Sequence, residues 1–445
     1  MRWRMWFALI STAAWADDLR VSTFQADVTP PLGTPLCFGL VQSGARVDDP
    51  LTARGIVIAG AGKPIVLVAV DWLGISNESH DRWRQALADA AGTSIDRVSV
   101  HVLHQHDAPG HDDAAASLLR EHGMTGSLIQ DHASNAAAVE RVAAALRAAP
   151  RRRVTHVGIG CGKVERVASN RRILGEDGKV RYTRFSSSRI AEAVAAPEGV
   201  VDPWVQSTTF WDGNKPVAVV TYYATHPQSH YGKGGISWEF VGMARAMREK
   251  AVPGAAHIHF NGASGNVAAG KYNDGAPEKR ALLAQRLALG MAAAWDATAK
   301  TRVSAADVSW TTVEVALPLR TDTQGAAALE AVVANASAKP ADRMRAARDL
   351  AFAHRAAAGH RVQLSKLRVG PAESIYLPGE LFIEYQLAAQ KIRPVAVAAY
   401  GDLGPGYIGT EVAYAQGGYE TGMVSRTAPS VEGVLMKAIR ELMTK

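Results

Sequence analysis

Four apolar β-like runs in this chain end in residues able to do chemistry, and helical stretches separate them without a Gly/Ser/Pro-rich linker. Residues 97–103 lead into His104-Gln-His106, and 217–223 lead into His226-Pro227. Residues 257–260 lead into Asn261 and Ser264, and 373–377 into a Pro-Gly turn and Glu380. Strands alternating with helices favour one α/β domain over two. Functional groups in such folds gather where strands end, so the repeated pattern predicts one shared crevice.

The other elements follow from periodicity and breakers. Residues 19–27 read as a strand entering the stiff Thr29–Pro35 turn, and two runs within 55–70 form a hairpin about Gly60–Pro64. Helical spacing covers 79–90, 129–149, 239–250, 277–299 and 430–443. Strands are expected at 154–162, 362–369 and 373–377. After a composition shift at Thr321, alanine-rich segments suggest two helices split by Pro340.

Arg2 and Arg4 precede an apolar stretch, and Ala14-Trp15-Ala16 is an A-x-A site, so residues 1–16 read as a secretory leader and 17–445 as the mature domain. The expected location is periplasmic or secreted. Among the 445 residues no later segment reaches the roughly 20 apolar residues that span a bilayer. A formal charge of +7 permits peripheral contact with an anionic membrane surface. Arg151–Arg153 lacks the interleaved aromatics of a nucleic-acid platform, so no nucleic-acid partner is expected. Export makes a Cys37–Cys161 disulfide chemically possible, but two cysteines define no framework.

His104 and His106 are the sharpest local signal. If the strand continues through them, side chains two apart share a face, and two neutral imidazoles suit zinc, which in catalytic sites usually keeps three protein ligands and one open position. Satisfied structural histidines are the competing reading. His257 and His259 repeat the spacing without a ligand partner nearby and read as strand-face histidines. Asp71, at the end of the second hairpin strand, either orients a ligand histidine or caps the following helix.

Taken in order along the chain, these segments resemble the neutral ceramidases, a family of zinc-dependent N-acyl amidases. Asp27-Val-Thr-Pro-Pro-Leu-Gly-Thr-Pro35 matches the family's opening motif, and His104-Gln-His106-Asp-Ala-Pro-Gly110 its T-H-T-H-S-x-P-G segment. Asn170-Arg171 corresponds to N-R-S-P, Ala224-Thr-His226-Pro227 to A-V-H, and Leu377-Pro-Gly-Glu380 to L-P-G-E. Tyr407 and Tyr419 fit its tyrosine-rich loop. The resemblance implies layered mixed β-sheets flanked by helices, and one Zn²⁺ per chain held by His104, His226, Glu380 and Tyr407. It further implies His106 as acid–base, with Arg171 and Tyr419 stabilising the carbonyl oxygen as it gains charge. The substrate it offers is a lipid acyl amide such as a ceramide. Tyr414, His230 and Trp238 are candidate substrate contacts beside these positions.

Three departures bear on that substrate. The family's G-D-V-S-P-N becomes Gly265-Asn-Val-Ala-Ala-Gly270, so no serine nucleophile stands at Ala268. Arg172 replaces the serine after Arg171 and adds a positive charge. The C-terminal β-sandwich of the family is not expected in this chain. Alternatives are a zinc hydrolase of another small amide or ester, and a non-catalytic envelope protein with a structural metal.

Overall fold

The computed structural model describes residues 19–60, 62–124, 129–320 and 325–445. The expected leader at 1–16 and the composition shift at Thr321 lie outside the described residues.

Three mixed sheets, two five-stranded and one four-stranded, organise the chain. The first runs Val98–Val102, Gly62–Val70, Thr52–Gly60, Leu19–Asp27, Arg152–Val154. The second runs Ala256–Asn261, Lys215–Tyr223, Trp204–Asp212, His156–Lys163, Ala299–Arg302. The third is Val308–Val315, Val362–Val369, Ala372–Tyr376, Ala396–Ala398. Every neighbouring pair is antiparallel except one at an edge of each sheet, where 62–70 pairs 98–102, 215–223 pairs 256–261, and 372–376 pairs 396–398 in parallel.

A parallel pair needs a crossover, and here a helix supplies each: Glu78–Ala91, Glu239–Ala251 and Ile383–Ile392. The sheets thus contribute three βαβ units, and the C-terminal ends of their edge strands meet. Val102 N donates to Tyr400 O at 3.0 Å, Ala399 N to Asn261 O at 2.9 Å, and Asn261 Nδ2 to Leu103 O at 3.4 Å. This stitching turns the strand-end pattern of the sequence into one site.

Period-two alternation places the core on both sides of the first sheet. Val66, Val68 and Val70 enter one apolar cluster, with helices 78–91, 132–148 and 431–444, while Ile65, Leu67 and Ala69 enter a second with helices 239–251 and 278–296. Both faces of the strand are buried, which is why it reads as an unbroken apolar run.

The layered α/β architecture and most element positions agree with the sequence reading. The expected strand at 154–162 is instead two, broken at Thr155, whose N–H donates to Trp211 O at 2.8 Å; its halves lie in different sheets. Pro340 opens the helix Pro340–Ala357 as its first residue, where its missing N–H costs nothing. Helix Asp113–Glu121 and strands Trp204–Asp212 and Val308–Val315 were not anticipated. Cys37 is buried, Cys161 exposed, and both thiols are free, so the possible disulfide is absent. No helix among the described residues is long and apolar enough to cross a membrane.

Candidate metal centre

His104 lies beyond the end of its strand, in the left-handed region at φ 71°. The expected sharing of a strand face by His104 and His106 therefore does not hold, because the chain leaves the extended conformation after Val102. His104 turns inward, its ring stacked on Tyr400 at 4.8 Å, while the His106 ring stands at 88° to it, 4.9 Å away. Tyr400 also has positive φ, 63°, and its hydroxyl is 2.8 Å from Ser264 Oγ. Two non-glycine residues in this costly region, packed on each other, mark a strained floor to the site.

The Nδ1–H of His104 donates to Leu73 O at 2.7 Å, and that of His226 to Ser264 O at 2.7 Å. Each bond fixes the tautomer and leaves Nε2 with a lone pair. Both Nε2 atoms face Glu380 Oε2, at 3.1 Å and 3.3 Å. Glu380 Oε2 is buried and has no hydrogen-bond partner. Burial pushes the His226 imidazole down to about 4, so it stays neutral near pH 7. Three electron-pair donors converging in a buried place repel one another unless a cation sits among them, and their mixture of nitrogen and anionic oxygen suits zinc. Among the described residues they form the group of His, Cys, Asp or Glu side chains able to hold an ion.

Tyr407 joins this group through backbone register. Glu380–Leu381 pairs in parallel with Tyr407–Ile408, setting Glu380 opposite Tyr407. The Tyr407 hydroxyl is 3.1 Å from His226 Nε2. Gly265 packs under this ladder, where a Cβ would collide with the Glu380 carbonyl oxygen, so the position requires glycine.

Arg171 is placed by the short pairing of Ser169–Asn170 with Val267–Ala268. Its Nη1 donates to the Tyr407 hydroxyl at 3.1 Å and to Gly265 O at 3.4 Å, and its Nε lies 3.2 Å from Glu420 Oε1. Arg172 Nη1 reaches the other Glu420 oxygen at 3.1 Å. Glu420 is fully buried, so one carboxylate balances both arginines. Asn266, where the resemblance expects aspartate, donates to Glu384 and accepts from Ile383 N, securing the helix behind Glu380.

A cleft of about 840 Å³, its open mouth included, leads to His104 and Glu380, with His106, Tyr407 and Tyr419 in its lining. The His106 Nδ1–H donates to His104 O at 3.2 Å, leaving Nε2 as an acceptor. Burial, with His104 and His226 close by, holds its pKa well below 6.5. Burial and the nearby Glu380 push the Tyr419 hydroxyl up to about 12, so it remains a donor at neutral pH. Its ring stands edge-on to Tyr407 at 5.8 Å.

The structure thus gathers His104, His106, His226, Glu380, Tyr407, Arg171 and Tyr419. It does not bring Tyr414, His230 or Trp238 to the cleft lining. The Tyr414 hydroxyl bonds Ser425 and Thr427, Trp238 lies beneath Arg245, and the His230 carbonyl accepts from Arg280. The neighbouring Tyr231 instead meets the His106 ring at 5.1 Å. Asp71 neither orients a ligand nor caps a helix: it forms a buried ion pair with Arg245 at 2.7 Å and accepts from Thr52. His257 and His259 are buried strand histidines, as their setting suggested. Sequence reasoning missed Tyr400, which no spacing rule connects to His104, and the role of Glu420. Two adjacent arginines, 171 and 172, were the available signal for a buried acid.

No protein-family model and no curated protein sequence matches this chain. Solved structures do. The neutral ceramidase from Pseudomonas aeruginosa superposes with a TM-score of 0.68 at 18% identity, covering 96% of this chain and 74% of that one. A ceramidase complexed with C2 superposes with a TM-score of 0.69 at 16% identity, covering 96% and 75%. The chain has the fold of a neutral ceramidase, as the sequence resemblance implied.

Proposed function

We propose that this protein is a zinc-dependent hydrolase of linear N-acyl amides, exported through the leader read at residues 1–16. The observation that carries the reading is the meeting of His104 Nε2, His226 Nε2 and Glu380 Oε2, beside His106, at a cleft in a fold shared with ceramidases. Tyr407 completes the ligand set, and one ion is bound per chain. Zinc supplies Lewis acidity, polarising a carbonyl and making water ionise near neutral pH.

This chain's own residues do the rest. The free Nε2 of His106 takes a proton from the attacking water and delivers it to the leaving nitrogen. Water oxygen bonds to the amide carbon, the C–N bond breaks, and an acid and an amine leave. The Tyr419 hydroxyl donates to the carbonyl oxygen as negative charge develops there. Arg171 acts as a positioning residue, holding the Tyr407 oxygen toward His226. Phe38, Leu40, Met344, Leu403 and Met423 wall the cleft and accept an acyl chain.

The test is metal content together with hydrolysis of an N-acyl panel, ceramide included, by wild type and His106→Ala. The expected result is about one zinc per chain in both proteins and turnover only in wild type. Zinc binding with no turnover controlled by His106 overturns the reading in favour of a structural metal.

A further inference from the structure

Arg348 enters the substrate cleft from the helix Pro340–Ala357. Its guanidinium stacks over Phe38, 3.7 Å from the ring centroid, and makes no hydrogen bond or ion pair with any described residue; its Nε is buried without a partner. The acids that face it are engaged elsewhere. Asp112 accepts from Ala115 N at 3.2 Å and from Asn77 Nδ2 at 3.0 Å, and Asp349 pairs with Arg426 at 2.6 Å. Arg345 and Arg426 line the same cleft, and among the described residues the only acid in its lining is Glu380, which belongs to the donor cluster. Burial and the neighbouring Arg426 pull Arg348 down to about 10, still charged at neutral pH.

A buried cation with no direct ion pair among the described residues is unfavourable for folding, and Phe38 and the more distant charge of Asp112 offset only part of that. The same surroundings strengthen any charge-assisted bond formed there, and a guanidinium fork matches a carboxylate with two parallel bonds. We propose that Arg348 is an anion-binding residue of the cleft, so that the favoured substrate is an acyl amide bearing a carboxylate, as an N-acyl amino acid does, and not a neutral ceramide. This rests on the hydrolase reading above and narrows its substrate class.

The experiment compares N-dodecanoylglycine with N-dodecanoylglycinamide, which share the chain and the scissile bond and differ by one charge. Dodecanoate release gives kcat and KM for the zinc-loaded wild type, R348Q and R348K, and calorimetry gives binding of both compounds. Wild type is expected to favour the glycine compound by about tenfold or more in kcat/KM. In R348Q the ratio collapses toward one through a rise in KM for that substrate, and R348K keeps part of it. Equal use of the two compounds by wild type overturns the proposal without any variant, as does a preference that survives in R348Q. If neither compound is hydrolysed but charge-selective binding depends on Arg348, the anion site stands and the hydrolase reading falls. If binding shows no charge selectivity either, both fall.

Discussion

Arg171 donates to the Tyr407 hydroxyl at 3.1 Å, which couples a buried guanidinium to the oxygen that lies 3.1 Å from His226 Nε2. The family resemblance implies a place for Arg171 at the substrate carbonyl; in the structure its Nη1 bonds Tyr407 and Gly265 and its Nε lies beside Glu420.

From that relationship, Arg171→Met should lower kcat about 10- to 100-fold and weaken zinc binding, with Arg171→Lys recovering only part because an ammonium cannot serve Tyr407 and Glu420 in one plane. Kinetics measured together with zinc titration check this. Unchanged zinc affinity with lost kcat would return Arg171 to the carbonyl.

His104→Ala and Glu380→Gln each remove one of the converging donors, so bound zinc should fall from about one per chain to a small fraction. In wild type, zinc at about 100 times its Kd should stabilise the fold by about 2.7 kcal/mol, a gain both variants lose. Elemental analysis and thermal melts with and without a chelator report the two effects separately.

His106→Ala should retain zinc and lose about 10²- to 10⁴-fold in kcat. Its imidazole is held well below 6.5 by burial and by His104 and His226, so it stays neutral through pH 6.5. The acid limb of kcat/KM in wild type should accordingly lie below pH 6.5. A limb centred above that value would mean a different base.

Asp71 supplies a stability test away from the cleft. Burial would raise its carboxyl, but the Arg245 ion pair and the Thr52 hydroxyl outweigh this and hold it below 3.8. A depressed folded value means the contribution is complete above the unfolded pKa and is lost as pH falls through the lower folded one. Asp71→Asn should cost about 3–5 kcal/mol near pH 7 by stranding Arg245, with the gap to wild type narrowing below about pH 4. Denaturant unfolding across that range measures it.

Much of this site was legible before any coordinates. Apolar runs marked the strands because both faces of strands such as 62–70 are buried, and their polar ends marked the crevice because the three parallel pairs finish together. His104, Glu380 and Tyr407 could be named one by one because each sits in a short motif that resembles one of the neutral ceramidases. Glu420 and Tyr400 could not, since each acts on residues far away in the chain.

Residue type and spacing, by themselves, determined the α/β class and most element positions, because periodicity and turn chemistry are local properties of the chain; the candidate ligands came from the resemblance of its motifs to those of neutral ceramidases. Only the tertiary structure decided what those residues face. It turned His104 off the strand face through a positive φ, gave Asp71 to Arg245, left Tyr414, His230 and Trp238 out of the cleft lining, and brought Arg348 in without an ion pair to any described residue. Pairings across hundreds of residues arise from packing three sheets against one another, and no short-range pattern encodes which side chain a buried charge will meet.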